Sequence, residues 1–222
     1  ISIITPSYNL EKWLPTTIES VISQRGNFEI EYIVIDGGSS DQSMKIAQEY
    51  AQKIESKTFP IACTAVAMTC IEEKNTGMYE AINRGFARAT GDIFAWINSD
   101  DVYELGAFEA MRLAFESNPE VQWIKGITST IDENGTLIRK GIAKIYHQDW
   151  LKKGIYGQES YFVEQDSVFW RAGLWKAIGS MPAHYRRAAD YWLWMQFANH
   201  APMISLNIPT SSFRKREGQL SK

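Results

Sequence analysis

The chain has 222 residues, of which 45% are hydrophobic and 22% are charged, and its formal net charge is −3. This composition is typical of a globular protein with a sizeable core, and the slight negative charge argues against a nucleic-acid binder, which usually carries a basic face. Two cysteines without metal-ligand spacing favour a reducing compartment over a disulfide framework, and no apolar run approaches the roughly 20 residues that span a bilayer.

The first half of the chain alternates short apolar runs with amphipathic segments. Strands are predicted at 1–4, 32–35, 62–70 and 93–97, and helices at 14–22, 39–53 and 77–89. This βαβαβαβ order predicts a parallel sheet with right-handed crossovers, and such sheets bind ligands beyond the carboxyl ends of their strands. Three polar loops are expected at that edge, at residues 5–9, 36–41 and 98–101.

The first of these loops contains Tyr8, which can stack on a nucleobase or pack over the adjacent helix. Asp36 opens the second loop and precedes Gly37-Gly38, where the backbone can approach a ligand closely. A carboxylate in this position can accept a hydrogen bond from a base or a ribose hydroxyl, or it can serve as a turn residue. Neither loop contains a dinucleotide fingerprint or a P-loop.

The third loop, Asn98-Ser99-Asp100-Asp101, directly follows the apolar run 93–97. Adjacent carboxylates are costly to bury without partners, and oxygen-rich loops of this kind suit Mg²⁺ or Mn²⁺. The alternative is a helix N-cap, since Asp is a good capping residue. The motif alone leaves both interpretations open.

Two further segments carry candidate functional residues. Residues 75–83 open a helix whose free N–H groups favour an anion, although a plain surface helix has the same pattern. Asp190 precedes Tyr191-Trp192-Leu193-Trp194, which indicates either an aromatic pocket around a carboxylate or an N-cap on a core helix.

The second half of the chain departs from the alternating pattern. Helices are predicted at 105–117, 171–178 and 190–199, and strands at 121–131, 137–140 and 166–170. Asn134-Gly135 predicts a hairpin between the first two of these strands. Residues 142–164 cannot be assigned and are expected to face an acceptor. The chain shows no repeat and no linker, so a single domain spanning 1–222 is predicted.

Six motifs, taken in order, resemble those of the family 2 glycosyltransferases, of the bacterial polysaccharide-biosynthesis type. They lie at residues 3–9, 36–41, 75–85 together with 89–92, 98–101, 165–171 and 190–194. The resemblance implies an α/β protein with the GT-A fold: a single Rossmann-like domain with a mostly parallel central sheet flanked by helices, and a smaller C-terminal acceptor-side region. Residues 1–101 are expected to bind a nucleotide sugar and residues 102–222 an acceptor.

The resemblance also implies residue roles in an inverting transfer of a sugar from a nucleotide-diphosphate donor. Asp36 would bind the base, which is expected to be uracil, beside Tyr8. Asp100 would ligate a divalent metal, Mn²⁺ or Mg²⁺, with support from Asp101, and Asp190 would be the general base. Donor contacts are expected from Thr5, Pro6, Tyr8, Asp36, Asn75, Asn83, Asn98, Ser99 and Asp100.

Three residues depart from the family's pattern. Asn98 stands at the first position of the Asp-x-Asp motif, so the metal site lacks one carboxylate. Asn75 stands where relatives often carry Asp, and Glu80 replaces the Asp of the helix motif. These departures leave the donor's identity and the affinity for metal open.

The expected partners are a nucleotide sugar and a glycan or lipid-linked acceptor, with no nucleic acid. A cytoplasmic location is expected, and contact with the inner face of the membrane stays open. The basic residues Arg214-Lys215-Arg216 are interpreted as either a solvated tail or a contact with a membrane or a lipid-linked phosphate.

Two other functions compete with this interpretation. A sugar nucleotidyltransferase would require a glycine-rich triphosphate loop after the first strand, and residues 5–9 contain neither Gly nor a basic residue. A non-catalytic nucleotide-sugar-binding module would be expected to lack the candidate base, Asp190.

Overall fold

The computed structural model of the chain describes residues 1–74, 77–157, 161–182, 184–185 and 187–219. The strands are β1 Ser2–Ser7, β2 Arg25–Asp36, β3 Ala62–Glu72, β4 Ile93–Trp96, β5 Val102–Tyr103, β6 Trp123–Ile131, β7 Leu137–Arg139, β8 Val168–Arg171 and β9 Met203–Arg214. The helices are α1 Leu14–Ile22, α2 Ser43–Glu55, α3 Met78–Phe86, α4 Ala107–Ser117, α5 Gln148–Lys152, α6 Ala172–Ile178 and α7 Ala189–His200.

The strands form one continuous sheet in the order β3-β2-β1-β4-β8-β6-β9-β5, with β7 paired to β6 outside this path. Strands β1 to β4 pair with one another in parallel, as the βαβ order predicts. Ser7 pairs with Asp36 and Ile4 with Trp96. The carboxyl ends of β1, β2 and β4 therefore lie at the same edge of the sheet.

Two hydrophobic cores cover the two faces of this sheet. Ile3 of β1 packs in one core with helices α1 and α4, whereas Ile4 packs in the other with helices α3, α6 and α7. Successive side chains of a strand point to opposite faces, so a continuously apolar strand feeds both cores. This explains why the first strands are apolar without alternation.

Helix α3 approaches β1 closely because residue 85 is glycine. A Cβ at Gly85 would lie 2.5 Å from Cγ2 of Ile4, well inside van der Waals contact. The small residue therefore determines how near the helix and the loop before it come to the edge of the sheet.

The second half of the sheet is mixed. Strand β8 is antiparallel to β4 and β6, β5 is antiparallel to β9, and β9 is parallel to β6. The sequence did not predict β5 or β9. Strand β5 has only two residues, and β9 contains Pro209 and a polar run at 210–212, so neither shows the apolar pattern of a buried strand.

Residues 142–157, part of the unassigned segment, form α5 and a single 3₁₀ turn at Ile155–Gly157. Among the described residues, no helix is long and apolar enough to cross a membrane.

Candidate active site

The three polar loops meet at the carboxyl edge of the sheet. The backbone N–H of Asn9 donates to Ser39 Oγ at 2.9 Å, and the Asn9 side-chain oxygen accepts the N–H of Ser40 at 2.8 Å. The third loop is joined to α1, because Thr17 Oγ1 donates to the carbonyl of Asp101 at 2.7 Å. Hydrogen bonds between these loops and α1 thus fix one polar surface at this edge.

Asp36 is buried at the end of β2 and organises the loop that follows it. Its Oδ1 accepts the N–H groups of Gly38 at 3.0 Å and Ser39 at 2.7 Å, and its Oδ2 accepts the Ser39 hydroxyl at 2.6 Å. Gly38 has a φ of 87°, a conformation that favours glycine. These contacts are those of a turn residue, so binding of a base by Asp36 stays a prediction.

The residues predicted in the first loop differ in exposure. Thr5 and Pro6 are buried within β1, where Thr5 Oγ1 accepts a hydrogen bond from the Tyr32 hydroxyl at 3.1 Å. The side chain of Tyr8 is 62% exposed. Of these three, Tyr8 is therefore the one with a ring face open to a ligand.

Asp100 and Asp101 have different surroundings. Asp100 Oδ2 accepts a hydrogen bond from Arg216 Nε at 2.6 Å. Asp101 is entirely buried, and its Oδ1 accepts the backbone N–H of Arg214 at 2.7 Å, while Asn98 Nδ2 donates to its Oδ2 at 3.3 Å. Asp100 is therefore the better placed of the two to contact a ligand, and Asp101 acts within the protein.

A further buried carboxyl, that of Asp166, adjoins this pair. It interacts with the carboxyl of Asp101, and burial raises the pKa of both groups. The neighbouring carboxylate of Asp100 raises both pKa values further, because adjacent negative charges repel. The sequence indicated Asp166 only as part of the motif at 165–171, since no local pattern shows that two acids 65 positions apart touch.

The site contains buried oxygen atoms without a protein partner. Within the described ranges, these include Ser7 Oγ, Asn98 Oδ1 and Ser99 Oγ, all at the ends of β1 and β4. An unsatisfied buried polar atom costs about 1–3 kcal/mol, so three of them at one edge favour a polar ligand there.

A divalent metal fits this site through its donor chemistry. Asp100, Asn98 and Ser99 offer oxygen, the atom that Mg²⁺ and Mn²⁺ prefer. No group of three or more His, Cys, Asp or Glu residues in the part of the chain that the structure describes could hold a metal by itself. A bound metal would therefore need further oxygen ligands from the phosphates of a donor.

Asp190 is the second residue of α7 and is partly exposed. Burial of its carboxyl raises its pKa, and the Tyr79 hydroxyl opposes this effect through a long hydrogen bond of 3.4 Å. Asp190 also acts electrostatically on Asp166. Asp166 is thus within electrostatic range of Asp100, Asp101 and Asp190.

The aromatic residues after Asp190 serve mainly the core. Trp194 is fully buried and stacks on Trp96 and Trp123, with ring centroids 5.6 and 5.9 Å away. Tyr191 is buried too and stacks on Phe162 at 5.6 Å. Of the two interpretations of this motif, the structure favours the core helix for Trp194.

Asn83 of α3 is hydrogen-bonded to the backbone of Met181. Its Nδ2 donates to the carbonyl of Met181 at 2.8 Å, and its Oδ1 accepts the Met181 N–H at 2.9 Å. Both polar atoms of the amide are thus engaged within the protein, which favours a structural role over the predicted donor contact. Asn75, the other predicted residue of this segment, lies outside the described residues.

The basic residues near the C-terminus do not form a solvated tail. Arg214 is buried, and its Nε donates to the carbonyl of Asp100 at 2.7 Å. Arg216 binds the carboxylate of the same residue, whereas Lys215 between them is exposed. A loop with two adjacent acids needs cations, but no local pattern in the sequence shows which basic residues supply them.

A buried ion cluster connects residue 144 to the sheet. Lys125 of β6 lies 3.0 Å from Glu164 Oε2, and Lys144 binds the other oxygen of the same carboxylate. Burial lowers the pKa of Lys125, and the charge of Glu164 opposes this shift. The cluster holds the segment that carries Lys144 beside Gln165, which donates to the carbonyl of Trp96 at 2.6 Å.

Comparison with known proteins gives a family match over most of the chain. Residues 2–176 match the model of the family described as "Glycosyl transferase family 2". An uncharacterized glycosyltransferase of Nostoc sp. is 30% identical over 61% of this chain, and a PGL/p-HBAD biosynthesis glycosyltransferase of Mycobacterium bovis is 27% identical over 86%. The chain spans 41% and 66% of the lengths of these relatives.

Solved structures show the same fold. Staphylococcus aureus TarS 1–349 in complex with UDP-GlcNAc matches with a TM-score of 0.72 at 19% identity, covering 98% of this chain and 59% of that one. The mannosyltransferase PcManGT from Pyrobaculum calidifontis, in complex with GDP-Man and Mn²⁺, matches with a TM-score of 0.69 at 16% identity, covering 98% and 57%. The predicted GT-A fold, a Rossmann-like α/β domain, is confirmed.

Proposed function

The chain belongs to glycosyl transferase family 2, and from this membership we propose that it transfers a sugar from a UDP-sugar donor to an acceptor hydroxyl, with inversion at the anomeric carbon. The observation that carries the proposal is the cluster of interacting acids Asp100, Asp101, Asp166 and Asp190. It connects the loops expected to bind the nucleotide to a carboxylate suited to activate an acceptor.

The donor is proposed to lie across the carboxyl ends of β1, β2 and β4. Tyr8 stacks on the base, and Asp36 holds the loop 37–41 against it. The UDP assignment is supported by the resemblance of this loop to the family's base-binding loop and by the fold match to TarS, which was solved with UDP-GlcNAc. PcManGT was solved with GDP-Man, so guanine is the alternative base.

Asp100 would hold a divalent metal together with the diphosphate, and Asn98 and Ser99 offer the neighbouring oxygen atoms. The metal supplies a Lewis acid that neutralises the leaving diphosphate as its bond to the sugar breaks. Asp101 positions this loop through its bond to the backbone of Arg214.

The protein's own chemical step is proton removal by Asp190. The acceptor oxygen forms a bond to the anomeric carbon on the face opposite the phosphate, and the carbon–phosphate oxygen bond breaks. The acceptor proton passes to the Asp190 carboxylate, and the nucleoside diphosphate leaves with the bonding electron pair. General-base assistance of this kind is typically worth about 10²–10⁴ in rate.

The acceptor is proposed to be a glycan or a lipid-linked sugar of a cell-surface polysaccharide, bound by residues 102–222. Two relatives support this class: the mycobacterial protein, named for PGL/p-HBAD biosynthesis, and a Bacillus subtilis protein named for minor teichoic acid biosynthesis, 32% identical over 53% of this chain. The chain spans 12% of the latter's length. We propose that the protein acts in the cytoplasm, at the inner face of the membrane.

Incubation with UDP-sugars and Mn²⁺ tests the proposal. Slow release of UDP is expected, because water replaces the acceptor inefficiently at a transferase site. Turnover that depends on pyrophosphate would instead identify a sugar nucleotidyltransferase. Binding of UDP without any release would identify a binding module.

A further inference from the structure

Asp100, the residue expected to bind the metal, already forms an ion pair with a basic side chain of the protein. Arg216 Nε lies 2.6 Å from Asp100 Oδ2, and the two side chains are only 15% and 9% exposed. A charge-assisted bond of this length between largely buried groups is strong and directional. Asp100 therefore has a positively charged partner before any ligand binds.

Contacts with neighbouring residues fix the position of Arg216. Its guanidinium lies over the ring of Trp13, 4.9 Å from the centroid. Its backbone N–H donates to Gln219 Oε1 at 3.1 Å, and Gln219 Nε2 donates in turn to the carbonyl of Arg214. Residues 214–219, which we call the C-terminal strap, thus hold the guanidinium at the edge of the sheet.

A diphosphate entering this site needs more positive charge than the loop supplies. Asn98 is neutral, and the nearby acids Asp100, Asp101 and Asp166 repel phosphate wherever they are ionised. A guanidinium presents a planar set of donors that matches phosphate oxygens. The strap brings such a group to the carboxylate beside which the diphosphate is expected.

We propose that Arg216 binds the donor's diphosphate, so that this chain carries a built-in cation beside its metal position. This inference rests on the proposed function. The guanidinium bridges Asp100 and the phosphates, and nucleotide affinity persists when divalent cations are removed. The neutral Asn98 is compensated by an arginine from the strap.

Calorimetric titration tests the proposal, with UDP and uridine as probes and with either EDTA or Mn²⁺ present. In EDTA, Arg216→Gln is expected to weaken UDP binding by about ten- to a hundredfold, the effect of losing one charged hydrogen bond, and to leave uridine binding unchanged. Arg216→Lys keeps the charge without the planar fork and is expected to give an intermediate loss. Lys215→Gln removes the same charge from the adjacent exposed residue and is expected to have no effect.

Four outcomes would overturn the inference. Tighter UDP binding by Arg216→Gln would make Arg216 a competitor that blocks Asp100, and unchanged binding would make it a structural tie. Equal losses for UDP and uridine would show a collapsed strap, which thermal unfolding of the same variant checks. Wild-type protein that binds no nucleotide, with or without Mn²⁺, would reject the proposed function itself.

Discussion

At the scale of single residues, the acids of the site differ in their hydrogen-bonding partners. Asp36 accepts hydrogen bonds from its own loop, Asp101 from the Arg214 backbone and Asn98, and Asp100 from Arg216. The Asp190 carboxylate is partly exposed and accepts a long hydrogen bond from the Tyr79 hydroxyl. Unlike the fully buried Asp101, it can therefore be reached by a substrate hydroxyl.

Asp190→Asn is therefore expected to lower the rate of sugar transfer by about 10²–10⁴ while UDP affinity stays within about twofold, because the base acts only in the chemical step. Steady-state rates and UDP titration check this. Asp149→Asn, the same change at an exposed acid of α5, is the control and should behave as wild type. Full activity of Asp190→Asn would reject the assignment.

The pH dependence of transfer follows from the same group. Burial raises the pKa of Asp190, so the active carboxylate is lost at a higher pH than for an exposed Asp as the solution is acidified. The Tyr79 hydroxyl favours the ionised form, and Tyr79→Phe is expected to move the acid limb of the rate profile further upward. An acid limb that stays in place in this variant would contradict the role given to Tyr79.

At the scale of elements, the close packing of α3 on β1 sets the geometry of the site. Helix α3 carries Asn83, which holds the backbone of Met181 ahead of α7, and Tyr79, which contacts Asp190. The same helix rests on Ile4 through Gly85. One helix thus connects the parallel strands to the acceptor side.

Gly85→Ala is expected to destabilise the protein by about 1–3 kcal/mol, because the added methyl overlaps Ile4 and α3 must shift. Urea unfolding measures this. Gly173→Ala in α6 is the matched control, since its Cβ meets no heavy atom within 4 Å in the part of the chain that the structure describes. The control should be neutral or stabilising by up to about 1 kcal/mol, and equal effects of both changes would refute the packing argument.

At the scale of the whole molecule, charge is unevenly distributed. The chain has a net charge of −3, yet residues 137–153 contain five Lys or Arg and a single acid. The same segment exposes apolar side chains: Ile142 is 71% exposed, Ile145 87% and Trp150 50%. Basic residues interspersed with apolar and Trp side chains are typical of surfaces that contact anionic membranes.

We therefore expect the protein to sediment with vesicles that contain anionic lipid and not with neutral vesicles. Ile142→Ser/Ile145→Ser should weaken this binding, because it removes apolar side chains from the proposed contact. Leu105→Ser/Leu113→Ser changes two exposed leucines elsewhere and serves as the control. Equal binding to both vesicle types would contradict a contact through this basic segment.

The sequence by itself determined the parallel half of the fold and the positions of the three loops. The strands β1, β2 and β4 are buried on both faces of the sheet, and this burial explains their continuous apolar sequence. Right-handed crossovers between parallel strands then place the loops that follow them at the same edge of the sheet. The carboxylate motif at 98–101 and Asp190 could be identified as candidate functional residues from the sequence. The motif follows a predicted strand, and Asp190 begins a predicted helix. Their roles in catalysis stay predictions.

Only the tertiary structure decided which groups share the site. Strand β9 has no apolar pattern of its own, and its place between β6 and β5 depends on pairing with distant residues. That pairing carries Arg214 and Arg216 to Asp100, more than a hundred positions away along the chain. Local patterns record which residues are buried, but contacts between distant side chains arise from the packing of the folded chain, so the cation beside Asp100 and the acid beside Asp101 could not be predicted.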